Sequence, residues 1–192
     1  MNIHRFGVCA LTAITLLASP VSAKKDKPPI ADQFLGTLVS MSVPGAMGTR
    51  VTIWVDAYTT DDVAESLAKA LEQDGQKALV TAMEKLTAGR IRIGTGDGLP
   101  LAVARQRTAA DGSRLVYLVT NRPLKGFEIQ QGLDSQQYPI GFIELKLGAD
   151  GKGEGTIVGM AQLKMDAERN LSVASYATQP ARLTAVTTET KK

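Results

Sequence analysis

The second half of the chain consists of short segments in which apolar and polar residues alternate, separated by residues typical of tight turns. Two of the turns carry the pair Asp-Gly, at Asp111-Gly112 and at Asp150-Gly151. Asp-Gly between alternating segments is the strongest short-range signal for a β-hairpin. The pattern predicts antiparallel strands at residues 90–93, 101–108, 114–120, 138–147, 155–165, 171–177 and 182–187.

Two further predicted strands, at residues 34–43 and 49–57, precede a helical segment. Thr59, Thr60, Asp61 and Asp62 place hydroxyls and carboxylates where the first turn of a helix has free N–H groups and a positive dipole end. Apolar residues then recur at helical spacing. Gly75 is predicted to close this helix, and a second helix is predicted at residues 76–86.

We therefore predict an α+β domain in which one helical hairpin is inserted into a meandering antiparallel β-sheet of about seven to nine strands. The pattern does not distinguish an open sheet from a closed barrel. The predicted organisation is a signal peptide at residues 1–23, a flexible arm at 24–33, a single domain at 34–187 and a flexible tail at 188–192.

The predicted signal peptide has a positive start, an apolar run over residues 6–18 that is too short to span a bilayer, and small residues before residue 24. It contains the only histidine, His4, and the only cysteine, Cys9. A mature chain without them has no base for Ser–His–Asp or Cys–His catalysis and no imidazole or thiolate for a transition metal. We expect an exported protein, periplasmic or secreted, without a metal, a cofactor or a membrane-spanning segment.

The formal net charge of +3 is concentrated at the two ends of the chain. Residues 28–190 hold 16 Lys and Arg against 18 Asp and Glu, a net charge of −2. The basic ends are typical of solubilising tails, with weak attraction to anionic lipids as the alternative. Export and a nearly neutral body both argue against a nucleic-acid partner.

Four arginines form the strongest candidate for a ligand site. Arg90 and Arg92 point the same way on one predicted strand, and Arg105 and Arg107 do so on the next. Four guanidinium groups on one face of a hairpin could hold a carboxylate or phosphate. The alternative is an exposed sheet face on which charge prevents edge pairing.

Three carboxylates, Glu128, Asp134 and Glu144, lie nearest to aromatic residues and are the alternative acid–base candidates. A carboxylate pair can hydrolyse a glycoside, but such pairs lie in clefts rich in aromatic residues, which make up only 5% of this chain. No catalytic residue is therefore assigned.

Several short motifs are spread over residues 58–183, among them Tyr58-Thr59-Thr60-Asp61, Asn121-Arg122-Pro123, Tyr138-Pro139 and Gln179-Pro180. In these motifs the chain resembles a family of exported bacterial proteins with no known activity. The resemblance implies a bacterial envelope location and brings no catalytic or binding residue with it.

The function expected from these observations is that of an exported, non-enzymatic domain. It would bind a small or apolar ligand, such as a lipid, or an envelope protein, through one sheet face or a barrel mouth. The alternatives are a carboxylate-dependent hydrolase of the cell envelope and a structural or assembly factor.

Overall fold

The computed structural model describes residues 30–39, 48–124, 137–165, 171–177 and 179–189. In these residues it has ten strands and one helix. The elements are β1 (Asp32–Val39), β2 (Thr49–Val55), α1 (Asp61–Met83), β3 (Gly89–Ile93), β4 (Leu99–Leu101), β5 (Val103–Thr108), β6 (Arg114–Val119), β7 (Ile140–Leu147), β8 (Lys152–Met165), β9 (Leu171–Tyr176) and β10 (Ala181–Glu189).

The strands form one antiparallel sheet in the order β4-β3-β2-β1-β10-β8-β7-β6-β5, and β9 pairs with the C-terminal part of β8. The two end strands, β4 and β5, are consecutive in the chain with only Ala102 between them. The Leu101 carbonyl accepts a hydrogen bond from Ala88, whereas the Ala102 N–H donates to Val119 on β6. The sheet is therefore a nearly closed, barrel-like sheet.

Both Asp-Gly hairpins are confirmed. Gly112 and Gly151 have φ angles of 81° and 74°, in the left-handed region that glycine adopts without a steric penalty. The first turn joins β5 to β6 and the second joins β7 to β8. In the second turn the Asp150 carboxylate accepts a hydrogen bond from the Lys152 N–H.

The structure is mostly antiparallel sheet, so the predicted α+β class is confirmed only in part, for the sheet and for one helical element. That element, α1, consists of two helices that meet in a kink at Gly75, a residue with non-helical backbone angles, where the sequence pattern placed the end of the first helix. Nine strands lie along the sheet path and β9 lies beside it, close to the predicted number. The part of the chain that the structure describes contains no helix with an apolar stretch of the length needed to span a bilayer.

The core has two layers, because successive side chains of a strand point to opposite faces of the sheet and β5, β6, β7 and β8 bury residues on both faces. The inner layer fills the barrel-like sheet and receives buried side chains from nine strands, including Phe34, Ile53, Leu118, Leu145 and Ile157. The outer layer lies between α1 and the outer face of the sheet, where Leu67, Leu71, Leu79 and Met83 of the helix are buried.

Candidate functional site

The outer face of β5, β6, β7 and β8 is ordered into rows by the register of the strands. One row is apolar throughout, and we call it the apolar row: Val103, Val119, Phe142 and Val158. All four side chains belong to the outer core layer and are at most 6% exposed.

The next row along the same face is polar. Two residues further along each strand, on the same side of the sheet, lie Arg105, Tyr117, Glu144 and Thr156, which pair in register across the four strands. We call these residues the polar row. Because the strand rise is about 3.3 Å per residue, the surface changes from apolar to charged over about 7 Å.

A groove of about 510 Å³ lies between α1 and the part of these two rows that β5 and β6 contribute. Its apolar walls come from the helix, from the apolar row and from the end of β8, with Leu67, Ala68, Met83, Val103, Val119 and Leu163 among the lining residues. Its polar side carries Asp61, Glu65, Arg105, Arg107 and Tyr117. We call it the main groove.

A second groove of about 350 Å³ continues from the main groove between the polar row and β9. Arg107, Tyr117 and Leu171 line both grooves, so they mark the junction between them. The second groove is more polar because Glu144, Thr156 and Ser172 contribute to its wall. We call it the side groove, and the two grooves together form one trough.

The charged groups of the trough take part in contacts of their own. Arg105 donates to the Asp61 carboxylate and to the Thr59 carbonyl, both at 2.7 Å, which joins β5 to the start of α1. Glu144 pairs with Lys146 at 3.0 Å, and this hydrogen bond and charge raise the pKa of Lys146. Both ion pairs are partly exposed to solvent, and pairs of this kind contribute little to stability.

Residues at the start of α1 do not all act as the sequence predicted. Thr60 is the residue before the first turn, but its side chain makes no capping hydrogen bond. Its backbone carbonyl instead accepts from the Ala64 N–H. The neighbouring hydroxyl of Thr59 accepts a hydrogen bond from the Ala104 N–H, so it anchors the segment before α1 to β5.

A second polar cluster closes one end of the inner core. Arg114 donates to Asp32 at 2.7 Å and to the Tyr58 hydroxyl at 3.0 Å, and that hydroxyl donates to Asp32 at 2.7 Å. The guanidinium of Arg114 lies 5.9 Å from the ring centre of Phe34, an inner-core residue. We call Asp32, Tyr58 and Arg114 the barrel-end triad.

Protonation in the barrel-end triad is shifted by its surroundings. Burial raises the pKa of Tyr58 above its ordinary value, and the hydrogen bond and charge of Asp32 raise it further. Burial alone would lower the pKa of Arg114, but its hydrogen bond to Asp32 and the Asp32 charge raise it. The triad therefore keeps a protonated phenol and a charged guanidinium around one carboxylate, an arrangement suited to stability.

The four candidate arginines lie in two separate places. Arg90 and Arg92 flank the ring of Trp54 on the outer face of β2 and β3, at 4.5 and 5.0 Å from its centre. Arg105 and Arg107 line the trough on β5. They separate because β3 pairs with β2 and β4, whereas β5 pairs with β6, so the expected hairpin between the two arginine pairs does not form.

Of the three candidate carboxylates, Glu144 lies in the side groove, beside Tyr117 and Phe142. Glu128 and Asp134 lie outside the described residues. Among the residues that are described, no group of three or more His, Cys, Asp or Glu side chains is placed to hold a metal ion.

Sequence reasoning missed Tyr117 and the helix residues that form the wall of the main groove. Tyr117 lies on the polar face of a predicted strand, and the sequence shows its alternation with the apolar residues Val116 and Leu118. Its alignment with Arg105 and Glu144 requires the register of three strands. The chain matches no protein-family model, no curated protein and no solved structure.

Proposed function

We propose that this domain binds a single-chain amphipathic molecule in the trough, with the apolar part in the main groove and the polar part at the junction with the side groove. The observation that carries the proposal is the change from apolar row to polar row on β5 and β6, from Val103 and Val119 to Arg105 and Tyr117, beneath the main groove. A volume of about 510 Å³ is within the range of small-molecule sites.

The outer face of the sheet is a better candidate for the ligand site than the interior of the barrel-like sheet. Inner-layer side chains such as Phe34, Ile53, Leu118 and Leu145 are at most 1% exposed and pack against one another. The mouth at the triad end is occupied by the hydrogen-bonded Arg114, Asp32 and Tyr58 side chains. A ligand on the outer face displaces only water, whereas one in the interior would have to displace packed side chains.

The proposal is a binding function and assigns no catalytic residue. Glu144, the described member of the three candidate carboxylates, is paired with Lys146 rather than with a second acid. We further propose, from the sequence alone, that the protein is exported. Mass spectrometry of the native product tests this part, since a mature chain should begin at Lys24 and an intact Met1 in the cytosol would contradict export.

Binding is tested by titrating the purified protein with a fluorescent apolar probe, 1-N-phenylnaphthylamine, and displacing the probe with fatty acids of increasing length. Ala64 lines the main groove on α1, and Ala64→Trp should fill part of it and weaken probe binding about tenfold. Ser66→Trp places the same ring on an exposed position of the same helix, and it should leave probe binding unchanged.

Two results would overturn the proposal. One is a probe signal that does not saturate, or that fatty acids do not displace. The other is equal loss of binding in Ala64→Trp and Ser66→Trp, because a site in the main groove requires the first variant to be the weaker binder.

A further inference from the structure

The side groove combines two aromatic rings with a carboxylate. Tyr117 and Phe142 have ring centres 5.9 Å apart with an angle of 35° between the ring planes, and both line this groove. Glu144, which follows Phe142 by two residues on the same face of β7, lies in the polar row next to Tyr117. Aromatic rings beside a carboxylate are the surroundings that an ammonium group prefers.

The junction of the two grooves supplies the opposite charge. Arg107 lines both grooves, and Arg105 is the neighbour of Tyr117 in the polar row. Guanidinium groups bind phosphate and carboxylate oxygens with two parallel hydrogen bonds. Because adjacent strands are about 4.8 Å apart, the strands carrying Arg105 and Glu144 are separated by roughly 10 Å. Their side chains can therefore contact the two ends of one small head group.

The overall charge of the trough argues against a simple anion as ligand. The main groove is lined by two arginines and by two carboxylates, Asp61 and Glu65, and the side groove adds Glu144. These carboxylates already pair with Lys69, Arg105 and Lys146, and Lys146 is largely exposed, so a ligand ammonium can replace it at Glu144. An anion at the junction would be attracted by Arg107 but repelled by the Glu144 carboxylate. A head group with both charges avoids this repulsion.

We infer that the ligand is a single-chain lipid with a zwitterionic phosphate–ammonium head group. The phosphate lies at Arg107 and Arg105, and the ammonium lies in the side groove against Glu144, Tyr117 and Phe142. The acyl chain lies in the main groove. This inference rests on the proposed function and specifies the chemical class of its ligand.

The inference is tested by comparing three lipids that share one acyl chain. Lysophosphatidylethanolamine carries both charges, lysophosphatidic acid carries only the phosphate, and monoacylglycerol carries neither. Each lipid displaces the bound 1-N-phenylnaphthylamine. We expect lysophosphatidylethanolamine to bind about tenfold more tightly than lysophosphatidic acid, and monoacylglycerol to bind most weakly.

Two substitutions separate the two halves of the head group. Arg107→Gln should weaken both phosphate-containing lipids about tenfold and leave monoacylglycerol unchanged. Glu144→Gln should weaken lysophosphatidylethanolamine and strengthen lysophosphatidic acid, since the repulsion is removed. The matched controls are Arg182→Gln and Glu72→Gln, at exposed positions that do not line the trough, and they should change none of the affinities.

The inference would be overturned by equal affinity for all three lipids, by tighter binding of lysophosphatidic acid, or by a Glu144→Gln variant that retains the preference of the wild type. In each of these cases the probe and the lipids still bind, so the proposed groove function survives. If no lipid displaces the probe, the proposed function itself has failed.

Discussion

The side-chain amide of Gln76 pairs with the backbone of Leu163. Its Nε2 donates to the Leu163 carbonyl, and the Leu163 N–H donates to its Oε1 at 3.1 Å. Strand β7 begins at Ile140, opposite Ala161, so it does not extend as far as Leu163. The glutamine amide thus satisfies backbone groups of β8 and holds α1 against the sheet directly after Gly75.

Replacement of this glutamine should loosen the helix on the sheet. We expect Gln76→Ala to lower the free energy of unfolding by about 1–3 kcal/mol, because it leaves an N–H and a carbonyl of a partly buried strand without partners. Lys77→Ala, at the exposed neighbouring position, should change it by less than about 0.5 kcal/mol. Urea unfolding gives both values, and hydrogen exchange at the Leu163 amide should accelerate in Gln76→Ala only. Unchanged exchange at that amide would contradict this role.

Stability should depend on the protonation of Tyr58 at alkaline pH. Its pKa is raised in the folded protein, mainly by burial and then by Asp32, so the unfolded chain loses this proton first. The contribution of the protonated Tyr58 to the free energy of unfolding is fully present below the ordinary tyrosine pKa of about 10, and it is lost as the pH rises above that value. Urea unfolding from about pH 9 to about pH 11 should show a steeper fall for the wild type than for Tyr58→Phe. Parallel curves for the two proteins would show that Tyr58 is not the group responsible.

A bulge in β10 places Ala185 at φ 51°, in the left-handed region that alanine disfavours. Near this residue, the pairing of β10 shifts in register against both of its neighbours, β1 and β8. Ala185→Gly should therefore raise the free energy of unfolding by about 1 kcal/mol. The control, Ala181→Gly in the same strand, should lower it by about 1–2 kcal/mol, because this residue has no positive φ and its methyl group is buried in the inner core. Thermal or urea unfolding measures both changes, and a loss of stability in both variants would mean that no strain is stored at Ala185.

Gly141 allows two chain segments to approach each other closely. A Cβ atom at this position would lie 2.6 Å from the Thr120 Oγ1 and 2.8 Å from the Leu124 Cγ. The Gly141 N–H also donates to that hydroxyl at 2.9 Å. Gly141→Ala should therefore destabilise the protein by about 1–3 kcal/mol through overpacking.

Gly96→Ala serves as the control for this substitution. In a β3–β4 turn, the added methyl group would meet only the Ile93 carbonyl, at 3.8 Å. Its free energy of unfolding should stay within about 0.5 kcal/mol of the wild type. Equal effects at Gly96 and Gly141 in urea unfolding would contradict the packing argument.

The hairpins and the alternation of buried and exposed side chains were predictable because they depend on neighbours in the chain. Asp111-Gly112 and Asp150-Gly151 adopt turns that need glycine at a positive φ, wherever the hairpin is located. Gly75 was recognised as a break in the helix for the same reason.

Residue types and their alternation thus specify which segments become strands, where they turn and which face of each is apolar, since these preferences operate over two to four neighbouring residues. Three other features depend on pairing between segments that are distant in the chain. They are the closure of the sheet through Ala102, the separation of Arg90 and Arg92 from Arg105 and Arg107, and the alignment of Arg105, Tyr117 and Glu144. A strand with one apolar face can pair with many others, and its register is set only when all the strands bury their apolar faces together in one packed core. The trough exists because that shared register brings the polar row beside the apolar row under α1.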